Sequence, residues 1–249
     1  EKNRMATSQL LAHCGTARMS RQELKAIPTP PGSSTYQPLP HHEIVDALIE
    51  SLGFRHISIV DDEYAVSGDG MKMFGVLNLE TMFEGCRFSV GVRNANDKSM
   101  RLGLTVGYRV LVCDNMAFSG DFTPVLAKHT KRLSLVDLLS IGVDRIQRNF
   151  EPIKSKVATW RASCITDDVA KLIIYRAFVE NELDAPKHLA QRVHEQYFKP
   201  PYEEFSPRTM WSLSNAFTSA FKSLDPIPQF KAAAHLGRFL ESTTALATA

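Results

Sequence analysis

The chain has 249 residues, 44% hydrophobic and 22% charged, which suits one large or two small globular units and excludes disorder and collagen-like repeats. No apolar run approaches the roughly 18 to 20 residues that cross a bilayer, and no signal-peptide pattern opens the sequence, so a cytoplasmic protein with no membrane partner is expected. A formal net charge of +2 conceals a segregation: +3 over residues 1–40, −5 over 41–126, +5 over 127–161 and −1 from 162 onward.

Glu1 to Arg4 stand ahead of Met5, the natural start, and read as a cloning remnant. Residues 27–40, IPTPPGSSTYQPLP, hold five prolines with glycine and serine. Residues 1–40 are therefore expected as a flexible N-terminal segment and a Pro-rich extended linker. In Glu43 to Leu52 the apolar Ile44, Val45, Leu48, Ile49 and Leu52 share one helical face, with Gly53 as the stop.

Beyond this helix the period changes to two. Ile57 and Ile59 alternate with polar neighbours, and Ser67-Gly-Asp-Gly70 supplies turn chemistry before a strand from Met71 to Leu79. Strands Arg87–Arg93 and Met100–Cys113 follow, joined by Asn94-Ala-Asn-Asp-Lys-Ser99. In the last of them Leu102, Leu104, Val106, Tyr108, Val110 and Val112 face the core. These elements make a helix plus antiparallel sheet over residues 41–126.

Ser134 and Asp137 stand in capping-box spacing at the start of a long helix. Its apolar stripe is Val136, Leu139, Val143, Ile146, Phe150, Ile153, Val157 and Trp160, with a kink or break expected at Pro152. Thr166, Pro186 and Ser206-Pro207 mark further helix starts. The fold class is α+β: an antiparallel β-meander packed against a long helix, with a helical C-terminal half, residues 127–249, that packs on the sheet as one domain with it.

Cys14, Cys86, Cys113 and Cys164 are scattered without a C-x-x-C pair, so neither a zinc site nor a disulfide framework is expected. His41 and His42 follow Pro40 in what reads as a solvated turn. Nucleophile-elbow, P-loop and zinc-protease motifs are missing, and no catalytic residue, metal or cofactor is assigned. A metal-dependent nuclease would have to draw on Glu80, Glu84, Asp114 and Asp121, which the meander brings to one end of the sheet.

The polar face of the sheet points to an anion. Arg87, Ser89, Gly91 and Arg93 on one strand join Arg101, Gly103, Thr105, Gly107 and Arg109 on the next in any register that unites the apolar faces. The result is a floor of small residues bordered by four arginines, suited to phosphate oxygens. A plain solvated face, its glycines serving twist or packing, is the other reading. Lys128, Lys131 and Arg132, just ahead of the long helix, add a second basic signal, and Arg145, Arg148, Lys154, Lys156 and Arg161 fall off its apolar stripe. The expected phosphate contacts are Arg87, Arg93, Arg101, Arg109, Lys128, Lys131 and Arg132.

Three segments carry a resemblance: Gly91-Val-Arg-Asn-Ala-Asn-Asp-Lys-Ser99, Gly107-Tyr-Arg-Val-Leu-Val-Cys-Asp-Asn115 with Ala117-Phe-Ser-Gly-Asp121, and Arg208-Thr-Met-Trp-Ser-Leu-Ser-Asn-Ala-Phe-Thr218. Over roughly residues 40 to 240 the chain resembles the phage/plasmid-like family known as domain of unknown function 932 (DUF932). That resemblance implies carriage on phages, plasmids and integrated elements, and it supplies no catalytic residues. The order of helix, meander and long helix beside a basic segment is also similar, in architecture alone, to the Rad52-like and phage recombinase group of single-strand annealing proteins, which form rings and bind DNA. The expected function is a non-catalytic mobile-element protein that binds nucleic acid, single-stranded DNA first, for annealing or protection, as a homo-oligomer. The rival expectation is a protein-interaction module, such as an inhibitor of host defence, whose partner docks on the stripe from Val136 to Trp160.

Overall fold

Alternating apolar residues between Ile59 and Val110 build a strongly hydrogen-bonded antiparallel meander in the computed structural model, which describes residues 16–113, 115–118, 125–224 and 226–247. Its strands are β2 (Ile59–Ser67), β3 (Lys72–Phe83), β4 (Cys86–Ala95) and β5 (Leu102–Val110). The β3–β4 turn is a tight two-residue hairpin, Glu84-Gly85, both with positive φ, between the paired Phe83 and Cys86. Short strands extend the sheet on both sides. β1 (Thr16–Met19) pairs with β2, while β6 (Met116–Phe118) and β7 (Val125–Ala127) share the outer edge of β5, the first along Gly107–Arg109 and the second along Leu102–Leu104.

Residues 16–24, expected to belong to a flexible segment, form a strand and a short helix; residues 1–15 lie outside the described residues. After β1, the short helix α1 (Arg21–Leu24) is held by a capping box between Ser20 and Glu23, and Leu24 is buried in the core. The Pro-rich stretch is extended, as its composition requires. It lies along the connection after β7, with Tyr36 bridged to Thr130.

Helix α2 (His41–Gly53) buries Ile44, Val45, Leu48 and Leu52. Gly53 is its last helical residue, not the stop beyond it. The β5 strand ends at Val110, three residues short of the expected end. Val110 N–H donates to the Asn115 carbonyl at 2.8 Å and turns the chain, so Val112 is exposed in place of continuing the core face, as is Leu111 beside it.

The expected long helix is two helices. Ser134 Oγ accepts the Asp137 N–H at 3.4 Å and starts α3 (Leu135–Arg148); the chain breaks at Asn149, and α4 (Phe150–Ala162) carries Pro152 in its first turn. A proline there removes an N–H that has no helical partner, so the break falls ahead of it. Leu139, Val143, Ile146, Ile153, Val157 and Trp160 are buried, whereas Val136 is exposed. Thr166 caps α5 (Asp167–Phe178) through its side chain. A 3-10 turn after Pro186 leads into α6 (Ala190–Phe198), and α7 (Met210–Phe221) is capped by Thr209, not by Ser206. The chain then runs into α8 (Pro226–Ala247).

These helices cover one face of the sheet. Phe150 stacks on Phe88 at 4.2 Å between ring centroids, Trp211 stacks on Tyr108 at 5.9 Å, and Gly142 of α3 lets that helix rest on Val125 and Leu104. A Cβ at Gly142 would lie 2.5 Å from Val125 Cγ2, so the close approach requires glycine. Among the described residues, no helix is long and apolar enough to cross a membrane.

Candidate nucleic-acid interface

The two strands share their polar face as expected, in a register that sets Arg87 opposite Arg109, Ser89 opposite Gly107, Gly91 opposite Thr105 and Arg93 opposite Gly103. The expected openness is not found. Ser89 and Thr105 are buried, as is the neighbouring Asn78 on β3, so no free floor of small residues is presented to solvent. Ser89 Oγ donates to Asn78 Oδ1 at 2.7 Å, and Asn78 Nδ2 donates to Asp61, which links these three side chains across the sheet. The position above Gly103 is filled by the Arg93 side chain, whose Nε would lie 2.9 Å from an added Cβ.

Arg109 is correspondingly no phosphate contact. It is 7% exposed and its Nη2 lies 3.3 Å from Glu63 Oε1 on β2, with Arg18 of β1 reaching the other carboxylate oxygen at 3.5 Å. Glu63, unremarked in the sequence, is the group that neutralises this side; its role needs a contact 46 residues away and has no local signature. Arg93 is half-buried, and burial holds its guanidinium below the usual arginine range. Arg87 is half-buried as well, donating to Met82 Sδ at 3.6 Å at the far end of the face.

The other four expected contacts gather elsewhere. The register Leu102↔Ala127 brings Arg101, one residue before the pair on β5, beside Lys128, one residue after it on β7. Lys131 and Arg132 follow in the turn that Leu133 N–H closes onto the Thr130 carbonyl. All four are exposed. Lys98, in the β4–β5 hairpin and passed over as turn chemistry, joins them: it is exposed, and its Nζ stands 4.8 Å from the Tyr36 ring centroid. Among the described residues none of these five cations has a carboxylate within ion-pair distance, whereas Lys72 nearby is paired with Asp97 at 3.3 Å.

The platform beneath the cations is a buried polar clasp. The Tyr36 hydroxyl donates to the Asn96 carbonyl at 3.0 Å and lies 3.2 Å from His129 Nδ1. Asn94 Nδ2 donates to the Leu39 carbonyl at 3.1 Å and to His41 Nδ1 at 2.9 Å, while His41 Nε2 donates to the Gly70 carbonyl at 2.9 Å. Burial pushes the pKa of both His41 and His129 down, so His41 serves as a core hydrogen-bonding group, not as a residue of a solvated turn.

The acidic set resolves only in part. Glu84 Oε2 is 3.7 Å from Arg161, which also pairs with Glu204 at 3.1 Å, and Glu80 is exposed; Asp114 and Asp121 lie outside the described residues. Among the described residues, no group of three or more His, Cys, Asp or Glu side chains is placed to hold a metal ion. Cys86 and Cys113 are buried, and burial pushes the Cys86 thiol up to about 12. No family model matches the chain, nor does any curated protein or solved structure.

Proposed function

We propose that the protein is a non-catalytic binder of nucleic-acid phosphate backbone, single-stranded DNA first, that engages its ligand at the β4–β5 hairpin end and not along the sheet. The observation that carries this reading is the convergence of Lys98, Arg101, Lys128, Lys131 and Arg132 from two chain segments, with no described carboxylate to neutralise them. Exposed cations that lack internal partners attract a polyanion through counterion release, without needing a groove shaped to a base. The resemblance to the phage/plasmid-like family agrees with a role on a mobile element, in annealing or protection of strands, and self-association would multiply the contact. The interaction-module reading loses its proposed surface, because the stripe from Leu139 to Trp160 is packed into the chain's own core.

Binding of a fluorescent single strand at low and moderate salt tests the proposal. The expected result is a steep salt dependence, weakened when Lys131 and Arg132 are both changed to Glu. Absence of binding at low salt overturns it. Light scattering with and without the strand reports the self-association.

A further inference from the structure

On the sheet face away from the helices, one row of residues sets an aromatic ring beside the cationic end. Successive strand partners place Ala65, Phe74, Arg93, Gly103 and Leu126 side by side, from β2 to β7. Met73 on β3 is buried in the core, so the alternation of the strand turns Phe74 to the other face. There the ring is half-buried and stands outside the hydrophobic cluster that the helices build. The Arg93 side chain lies across Gly103, where an added Cβ would come within 2.9 Å of its Nε and 3.3 Å of its Cγ. Leu126, 48% exposed, closes the row. One row further in, Val76, Gly91 and Thr105 are buried, and Glu63 beside them is engaged by Arg109 and Arg18. At this end of the sheet the Phe74 row is therefore where the face meets water.

Arg101 and Lys128 stand two positions beyond Gly103 and Leu126, toward the hairpin end. Two strand spacings and two residues separate Phe74 from Arg101, about 12 Å from backbone to backbone. A partly exposed ring, an arginine side chain laid flat and a rim of cations without a described carboxylate suit a planar group that is tied to a phosphate. We propose that Phe74, with the Arg93 side chain beside it, is a stacking platform for unpaired nucleobases of a strand whose phosphates lie on Arg101 and Lys128. Such stacking rests on the backbone-binding reading and supplies its preference for a single strand. Bases in a duplex have their faces covered by their neighbours, whereas an unpaired base is free to lie on an aromatic ring or a guanidinium plane. Every base has such a face, so the platform is tolerant of sequence.

Fluorescence anisotropy of the full chain at low salt, with oligothymidylate and with an abasic strand of the same length, tests this. Oligothymidylate is expected to bind at least about tenfold more tightly than the abasic strand. Phe74→Ala should weaken oligothymidylate about tenfold and leave the abasic strand and the salt slope unchanged, while Phe74→Tyr, which keeps the ring, should bind as the unaltered chain does. If Phe74→Ala does not fold by near-UV circular dichroism, Phe74→Leu, which keeps apolar volume without a flat ring, carries the comparison. Equal affinity of the unaltered chain for the two strands, unchanged affinity for oligothymidylate in the folded Ala or Leu variant, or equal losses in the Tyr and Ala variants overturns the platform while the backbone-binding reading stands. Absence of binding to either strand at low salt overturns both.

Discussion

Arg109 on β5 and Glu63 on β2 meet at 3.3 Å although β3 and β4 lie between their strands. Three strand spacings are roughly 14 Å, so the two side chains must lie down across the small residues Ser89, Gly91, Thr105 and Gly107 to reach each other. The smallness of that floor makes room for the protein's own ion pair. Removing one member of a buried pair leaves the other charge in a poor solvent, which costs about 3 kcal/mol. Glu63→Ala is therefore expected to lower unfolding stability by about that amount in urea denaturation, and Arg109→Met less, because the Glu63 carboxylate left behind keeps Arg18 at 3.5 Å.

Nucleic-acid binding should divide along the same line. Each cation neutralising a phosphate of a single strand contributes about 0.7 to the slope of log affinity against log salt. Replacing both Lys131 and Arg132 by Gln is expected to reduce that slope by about 1.4 with stability unchanged. Arg109→Gln should leave the slope as it is and lower stability. Fluorescence anisotropy across a salt series, with urea melts in parallel, measures both.

Acid should loosen the clasp under the cations. His41 accepts from Asn94 at Nδ1 and donates to Gly70 from Nε2, so a second ring proton would face the Asn94 amide hydrogens. Folded His41 and His129 both titrate below the ordinary 6.5, so the unfolded chain takes up protons first. Their contribution is complete above pH 6.5 and is lost as pH falls below it, at up to about 1.4 kcal/mol per pH unit for each ring. Urea midpoints at pH 7.5 and 5.5 test the sign; His129→Asn should flatten the dependence.

Two glycines in helices should answer oppositely to alanine. Gly142→Ala drives a methyl group to 2.5 Å from Val125 Cγ2 and 3.1 Å from Leu104 Cδ1, and overpacking of this kind costs about 1–3 kcal/mol. At Gly53 no atom lies within 4 Å of the added carbon, so Gly53→Ala is expected to stabilise α2 by about 0.5 kcal/mol. Thermal melts of the two variants give the contrast.

What was legible in the letters was local. The stripe of α2, the alternation of β5 and the caps at Ser134 and Thr166 depend on neighbours within one or two turns, and each is in place. Whether a row of Ser, Gly and Thr is wet or dry depends instead on what crosses it, and here the crossing residue is a glutamate 46 positions from its arginine. The helix break was displaced for a related reason: Pro152 announces a discontinuity, but its tolerance of the first helical turn shifts that discontinuity to Asn149. A lysine inside Asn-Asp-Lys-Ser reads as turn composition, and what ties Lys98 to the cationic end is the ring of Tyr36, whose bridge to Thr130 spans 94 positions of sequence.

β7 belongs by sequence to the threshold of the helical half, yet by hydrogen bonding it is a strand of the meander, and the bridge from Thr130 to Tyr36 ties the same stretch back to the beginning of the chain. A gene divided near codon 126 would therefore give two pieces that each forfeit part of the other's interior. Neither should be recovered in native form alone, and co-expression should restore both.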